Sequence, residues 1–89
     1  MYKRSQNAIF SEVGDDVVAL HIQRGQCYGM EKVAADVWNL LAEPSDLESI
    51  CSDLIERYDV ERNLCRTDVA NLLEQMQSQG LIEKVPSAA

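Results

Sequence analysis

The hydrophobic period of this chain changes once, just after Met30, and that change constrains the fold more than any other feature. Before it, apolar residues come in short runs separated by turn residues. After it, they recur every three to four positions, the spacing of one face of a helix. Strands gathered ahead of helices, rather than alternating with them, predict an α+β domain.

Residues 7–13 put Ala8, Phe10 and Glu12 on one face and Ile9, Ser11 and Val13 on the other, a strand pattern without strict polar alternation. Gly14-Asp15-Asp16 supplies a turn, because glycine tolerates positive φ and aspartate bonds to its local backbone. Val17-Val18-Ala19-Leu20-His21-Ile22 is β-branched and almost continuously apolar, as a covered central strand should be. A second turn at Arg24-Gly25-Gln26 lets Cys27-Tyr28-Gly29-Met30 pair back as a short third strand at a sheet edge.

The helical part opens with Val33, Ala34, Val37, Trp38, Leu40 and Leu41, an apolar stripe that ends near Ala42 and Glu43 because Pro44 cannot continue it. Ser45 and Glu48 have the spacing of a capping box, so a second helix is expected to start there. Leu47, Ile50, Cys51, Leu54, Ile55 and Tyr58 then fall on one face. Asp59 is expected to cap a third helix running from Val60 or Glu61 to Gln79, with Leu64, Cys65, Val69, Leu72, Leu73 and Met76 on its apolar side and Gly80 just past its end. Residues 81–85 return along the core. The expected architecture is a winged helix-turn-helix-like domain, a three-stranded antiparallel sheet followed by three helices. It occupies residues 1–89 as a single unit with flexible ends at 1–6 and 86–89.

A chain of 89 residues supports one modest core and no second domain. No apolar run reaches the length of about 20 residues that spans a bilayer, and residues 1–7 lead into no signal-like stretch, so a cytoplasmic protein with no membrane partner is expected. Cys27, Cys51 and Cys65 form no Cys-x-x-Cys pair and are expected to be reduced thiols. A formal charge of −7, with eight scattered basic residues, repels phosphate backbones and argues against nucleic acid.

Reactive chemistry finds little support. His21 is the one histidine and sits in a strand without triad spacing, which suits a structural role. Cys51 and Cys65 lie on core stripes, where a thiol acts as a small hydrophobe, and Cys27 lacks a basic neighbour that would make it a thiolate. No metal-ligand cluster and no glycine-rich phosphate loop is present, so neither a metal nor another cofactor is expected, and no enzymatic activity. The helices around Tyr58-Asp59-Val60 resemble a DNA-binding helix-turn-helix, yet the third helix mixes Arg62 and Arg66 with Glu61, Asp68 and Glu74. What remains is an edge strand beside an amphipathic helix. Such an edge can accept a strand from another chain while a groove selects its side chains. Equally, Cys27-Tyr28-Gly29-Met30 can simply end the sheet, with Leu72 and Met76 as core.

The stretch Gly25-Gln26-Cys27-Tyr28-Gly29-Met30, followed by Val33-Ala34-Ala35-Asp36-Val37-Trp38-Asn39-Leu40-Leu41, closely resembles the strand-to-helix junction of PqqD-like proteins of lasso-peptide pathways. Further matches run from Leu47 through Tyr58-Asp59-Val60, then Asp68-Val69 with Leu72-Leu73, and Gly80-Leu81-Ile82, so the likeness covers residues 9–85. The resemblance implies a recognition element for ribosomally made precursor peptides, in which the leader segment adds as a strand to the third strand beside the third helix. It implies a peptide-binding surface of Gln26, Cys27, Tyr28, Gly29 and Met30 on the strand and Asp68, Val69, Leu72, Leu73, Gln75 and Met76 on the helix. It also implies a separate cysteine-protease-like leader peptidase as partner. A peptide chaperone for a radical-enzyme pathway is the second reading, and a winged-helix DNA-binding regulator the third.

Overall fold

The computed structural model describes residues 1–86, in the order β1 (Tyr2–Arg4), β2 (Ala8–Val13), β3 (Asp16–His21), β4 (Gln26–Met30), α1 (Lys32–Leu40), α2 (Leu47–Arg57), α3 (Arg62–Ser78) and β5 (Ile82–Lys84). Strands β2, β3 and β4 form an antiparallel meander in that spatial order, with Ile9 opposite Leu20 and Leu20 opposite Cys27. The first hairpin reverses over two residues, and Gly14 takes the positive φ of 64° that its tight turn demands. The fold is thus α+β, a three-stranded antiparallel sheet followed by three helices, as the change of period predicts.

Alternation along β3 decides which sheet face is covered. Val17, Ala19 and His21 are buried against the helices, while Val18 and Leu20 face the other way. Opposite them pack Trp38 of α1 and Leu41 just after it, Ile50, Cys51 and Leu54 of α2, and Val69, Leu73 and Met76 of α3, all almost solvent-free. Burial of apolar area on this scale is the main favourable term in folding.

Four local expectations are corrected. Residues 1–6 are not a loose end: β1 pairs with β5 in a separate two-stranded sheet, Tyr2 opposite Lys84 and Arg4 opposite Ile82. The start of α2 is capped by Asp46, whose carboxylate accepts the Ser49 backbone N–H at 2.8 Å, because the Ser45 backbone is already exchanging bonds with Tyr2. The start of α3 is capped by Glu61, which accepts from Asn63 and Leu64, and not by Asp59. Tyr58 stands past the end of α2, about a third exposed, with its hydroxyl donating to Asp36. The expected fraying of residues 86–89 lies, from Ser87 onward, outside the described residues.

Gly80 ends α3 at φ 76° and turns the chain into β5. A Cβ at this position would come within 2.7 and 2.8 Å of the His21 ring, so a side chain is excluded twice over, by sterics and by backbone conformation. His21 itself is buried, and its Nδ1 accepts the Arg24 backbone N–H at 3.1 Å, a structural role for the ring. Burial, then a hydrogen bond with Cys65, pushes the Cys51 thiol up to about 11, which keeps it protonated and inert at neutral pH.

Candidate peptide-binding cleft

The meander leaves β4 with one partner. Among the described residues no strand pairs with its outer side. The register says which groups are left over. Ile22 donates its backbone N–H to the Asn7 carbonyl at 2.8 Å, so on β3 the backbones of Leu20 and Val18 also turn to β2, and those of His21, Ala19 and Val17 turn to β4. Their partners Gln26, Tyr28 and Met30 are therefore used inside the sheet. The N–H and C=O groups of Cys27 and Gly29 point outward, where a further strand would find them.

Beside this edge lies a cleft of about 350 Å³ between β4 and the C-terminal half of α3. Cys27, Tyr28, Gly29 and Met30 form one wall; Leu72, Gln75, Met76 and Gln79 form the other, and Ala34 closes the end. No residue of this lining carries a formal charge, although the chain as a whole carries −7. The Tyr28 hydroxyl donates to Gln26 Oε1 at 2.6 Å, which ties together two of the three side chains that the strand turns toward the helices. Leu72 is half-buried and can meet a ligand, whereas Met30 and Met76 are almost wholly enclosed and form the floor.

A second hollow, of about 140 Å³, continues one turn toward the N-terminal end of α3. Val33, Tyr58, Val60 and Leu64 surround it, with Leu54, Cys65 and Val69 beneath and Asp68 at the rim. These four surrounding residues are among the most exposed large apolar side chains of the protein, Leu64 at 56%. An open apolar hollow of this kind has no structural purpose of its own and suits an apolar side chain from elsewhere.

Of the residues singled out in the sequence, Cys27, Tyr28, Gly29, Met30, Leu72, Gln75 and Met76 meet in the cleft, with Gln26 adjoining through Tyr28. Asp68 and Val69 line the neighbouring hollow instead, and Leu73 is fully buried in the core behind α3. Ala34 and Gln79 of the cleft, and Val33, Tyr58, Val60 and Leu64 of the hollow, were not among them. Val33, Ala34, Tyr58 and Leu64 fall on the apolar stripes expected to be core, yet Val33, Tyr58 and Leu64 are exposed; Val60 and Gln79 stand out only once the helix ends converge.

The family model described as coenzyme PQQ synthesis protein D matches residues 16–82. The chain belongs to the PqqD family. The matched stretch of this PqqD-family protein runs from β3 to the start of β5 and so contains both walls of the cleft. Its structure is similar to that of a solved complex described as TbiB1 in complex with the TbiA(beta) leader peptide, with a TM-score of 0.89 and 28% identity over 96% of this chain and 99% of the other. A second solved structure, lasso peptide synthetase B1 complexed with the leader peptide, shares the fold at a TM-score of 0.83 and 18% identity, covering 93% of this chain and 98% of that one. No curated relative matches.

Proposed function

We propose that this protein captures the leader segment of a ribosomally synthesised precursor peptide and presents it to a separate leader peptidase of lasso-peptide biosynthesis. The observation that carries the reading is the pairing of an open β4 edge, at Cys27 and Gly29, with an uncharged cleft walled by Leu72, Gln75 and Met76. The leader adds as a fourth strand, its backbone bonding to Cys27 and Gly29 while alternate side chains enter the cleft. An apolar side chain beyond the paired segment anchors in the hollow around Val60 and Leu64. The likeness to TbiB1, described with a leader peptide bound, supports the same ligand class here.

The mechanism is proximity and not bond chemistry. A leader held on the sheet raises the local concentration of the cleavage site at the peptidase, so the encounter becomes effectively intramolecular. The protein itself is no enzyme in this reading, takes no cofactor, and works in the cytoplasm where precursor peptides are made. In fold terms, α2 and α3 serve as the helix-turn-helix half of a winged-helix-like domain whose third helix reads peptide instead of DNA. The two cations at the start of α3 are engaged within the protein: Arg66 and Arg62 both reach Glu48, at 3.0 and 3.5 Å. That arrangement weighs against a duplex-binding regulator. The family description favours one second reading, delivery of the peptide to a radical enzyme of cofactor synthesis.

Titration of a fluorescein-labelled leader peptide tests the cleft. Leu72→Asp should fold and bind at least about tenfold more weakly, since its charge would be desolvated beneath the peptide. Met76→Asp, at a position only 2% exposed, should lose the fold instead. A folded Leu72→Asp variant with wild-type affinity would sink the assignment.

A further inference from the structure

The cleft takes its two walls from distant parts of the chain, and their ends meet at His21, the last residue of β3, which is only 5% exposed. Its ring Nδ1 accepts the Arg24 backbone N–H at 3.1 Å and its carbonyl accepts that of Gly25 at 2.8 Å, so one residue shapes the turn that delivers β4. The same ring lies against the end of α3. A Cβ on Gly80 would stand 2.8 Å from its Nε2 and 3.3 Å from Arg24 Cζ, and the Arg24 guanidinium reaches on to donate to the Ser78 carbonyl at 3.1 Å. Both walls begin at this clamp. Gln79 of the cleft sits between Ser78 and Gly80, while Cys27 follows Gln26, the residue paired with His21 across the sheet.

We infer that His21 is a positioning residue of the peptide site: its neutral ring sets the spacing between β4 and the end of α3, and protonation of the ring releases that spacing and the peptide with it. The inference rests on the proposed capture of the leader in the cleft. A neutral imidazole that accepts at Nδ1 carries its proton on Nε2, so a second proton must go to Nδ1 and turns the acceptor into a donor facing the Arg24 N–H. The bond that holds the turn is then gone. Nothing nearby compensates the new charge. The cross-strand neighbours are Ala8 and Gln26, the stretch from Ser78 to Ile82 is uncharged, and the charged group beside the ring is the Arg24 guanidinium. Among the described residues no carboxylate is ion-paired with His21. Acid therefore sets one cation against another at the point where the walls are joined. Strand addition tolerates little displacement there, because hydrogen bonds weaken steeply away from their preferred geometry.

The test is calorimetric titration with an unlabelled synthetic leader peptide at about pH 7.5 and about pH 5.5, an interval in which histidine side chains change charge. Wild type is compared with His21→Asn, whose Oδ1 accepts in place of Nδ1 at either pH, and with His21→Leu, which fills the space without an acceptor. Wild type should bind about fivefold more weakly at the lower pH, roughly the value of one hydrogen bond. His21→Asn should stay within about twofold of the neutral wild type at both, and His21→Leu should show the loss of about fivefold already at the higher pH. As the chain's single histidine, the ring can also be followed by NMR, and the loss of affinity should track its titration. That comparison decides the matter even if a variant does not fold. Equal wild-type affinity at the two pH values overturns the inference, as does a loss that fails to follow the ring or a His21→Asn variant that weakens as steeply as wild type. Failure of the underlying reading is distinguishable, because wild type would then bind no leader at either pH.

Discussion

Strands β1 and β4 meet the same problem, a row of backbone groups beside a short strand, and the protein treats them in opposite ways. On one side β1 has β5, and on the other Tyr2 exchanges two backbone bonds with Ser45, at 2.8 and 3.0 Å. The pairing is extended past the strand at both ends, by Val85 N–H to the Met1 carbonyl and Ser5 N–H to the Leu81 carbonyl. By contrast β4 has, among the described residues, β3 alone, and an uncharged cleft runs beside its open side. The chain thus has a segment free enough to cover an edge, and spends it on β5 instead of β4. An open border next to a closed one is a stronger sign of a binding site than an open border alone, since an unpaired strand edge is a template on which another chain can pair.

The comparison can be broken hardest from inside the sheet. Tyr28 bonds to β3 and Gly29 faces outward, so Tyr28→Pro should remove a ladder bond and cost about 3 kcal/mol of stability, whereas Gly29→Pro should leave the unfolding midpoint near that of wild type. In leader titration the Gly29→Pro variant should bind about tenfold more weakly; two variants with the same unfolding curve would show the outward assignment to be wrong. Gly80→Ala attacks the closed border, because this residue aims β5 at β1. Positive φ and the close approach to His21 should together cost about 2 kcal/mol, measured as a lower urea midpoint.

Acid sharpens the comparison with the smallest effect. Hydrogen bonds from Ser49 hold the Asp46 carboxyl below its ordinary value, and those from Leu64 and then Asn63 do the same for Glu61. Both folded values are depressed, so the stabilisation is fully present above the ordinary carboxylate values of 3.8 and 4.5 and is lost as pH falls through the lower folded values. Protection factors for amide exchange at the first turns of α2 and α3, with the intrinsic pH dependence of exchange divided out, should therefore fall on acidification in that range, and Asp46→Asn should blunt the fall in α2. Equal protection factors at neutral and acid pH would remove these caps from the account.

Much of this architecture was legible because burial imposes a period. The β3 run and the stripe on α2 each bury a face, and a face must repeat. What escaped is what burial does not pattern. Tyr2-Lys3-Arg4 has no apolar alternation, and its partner strand lies some eighty positions away, so β1 left no local signal. The cap of α2 moved from Ser45 to Asp46 because Ser45 was claimed by Tyr2, a contact invisible to a local rule. On α3, Leu72 and Leu73 are separated by about 100° around the axis. Which of them meets a ligand depends on where β4 lies, and it is Leu72 that lines the cleft while Leu73 is enclosed. The strand half of the site was the easier half, since an edge is defined by order along the meander.

The absence of formal charge from the cleft separates two kinds of selectivity. Long-range attraction and repulsion act through the −7 field of the whole molecule, which slows the approach of acidic chains and hastens basic ones. Once a peptide has arrived, that field gives way to shape and backbone pairing, and these set how long it stays. Traffic and residence are thereby governed by different atoms, and a change at the surface can alter the one while leaving the other intact.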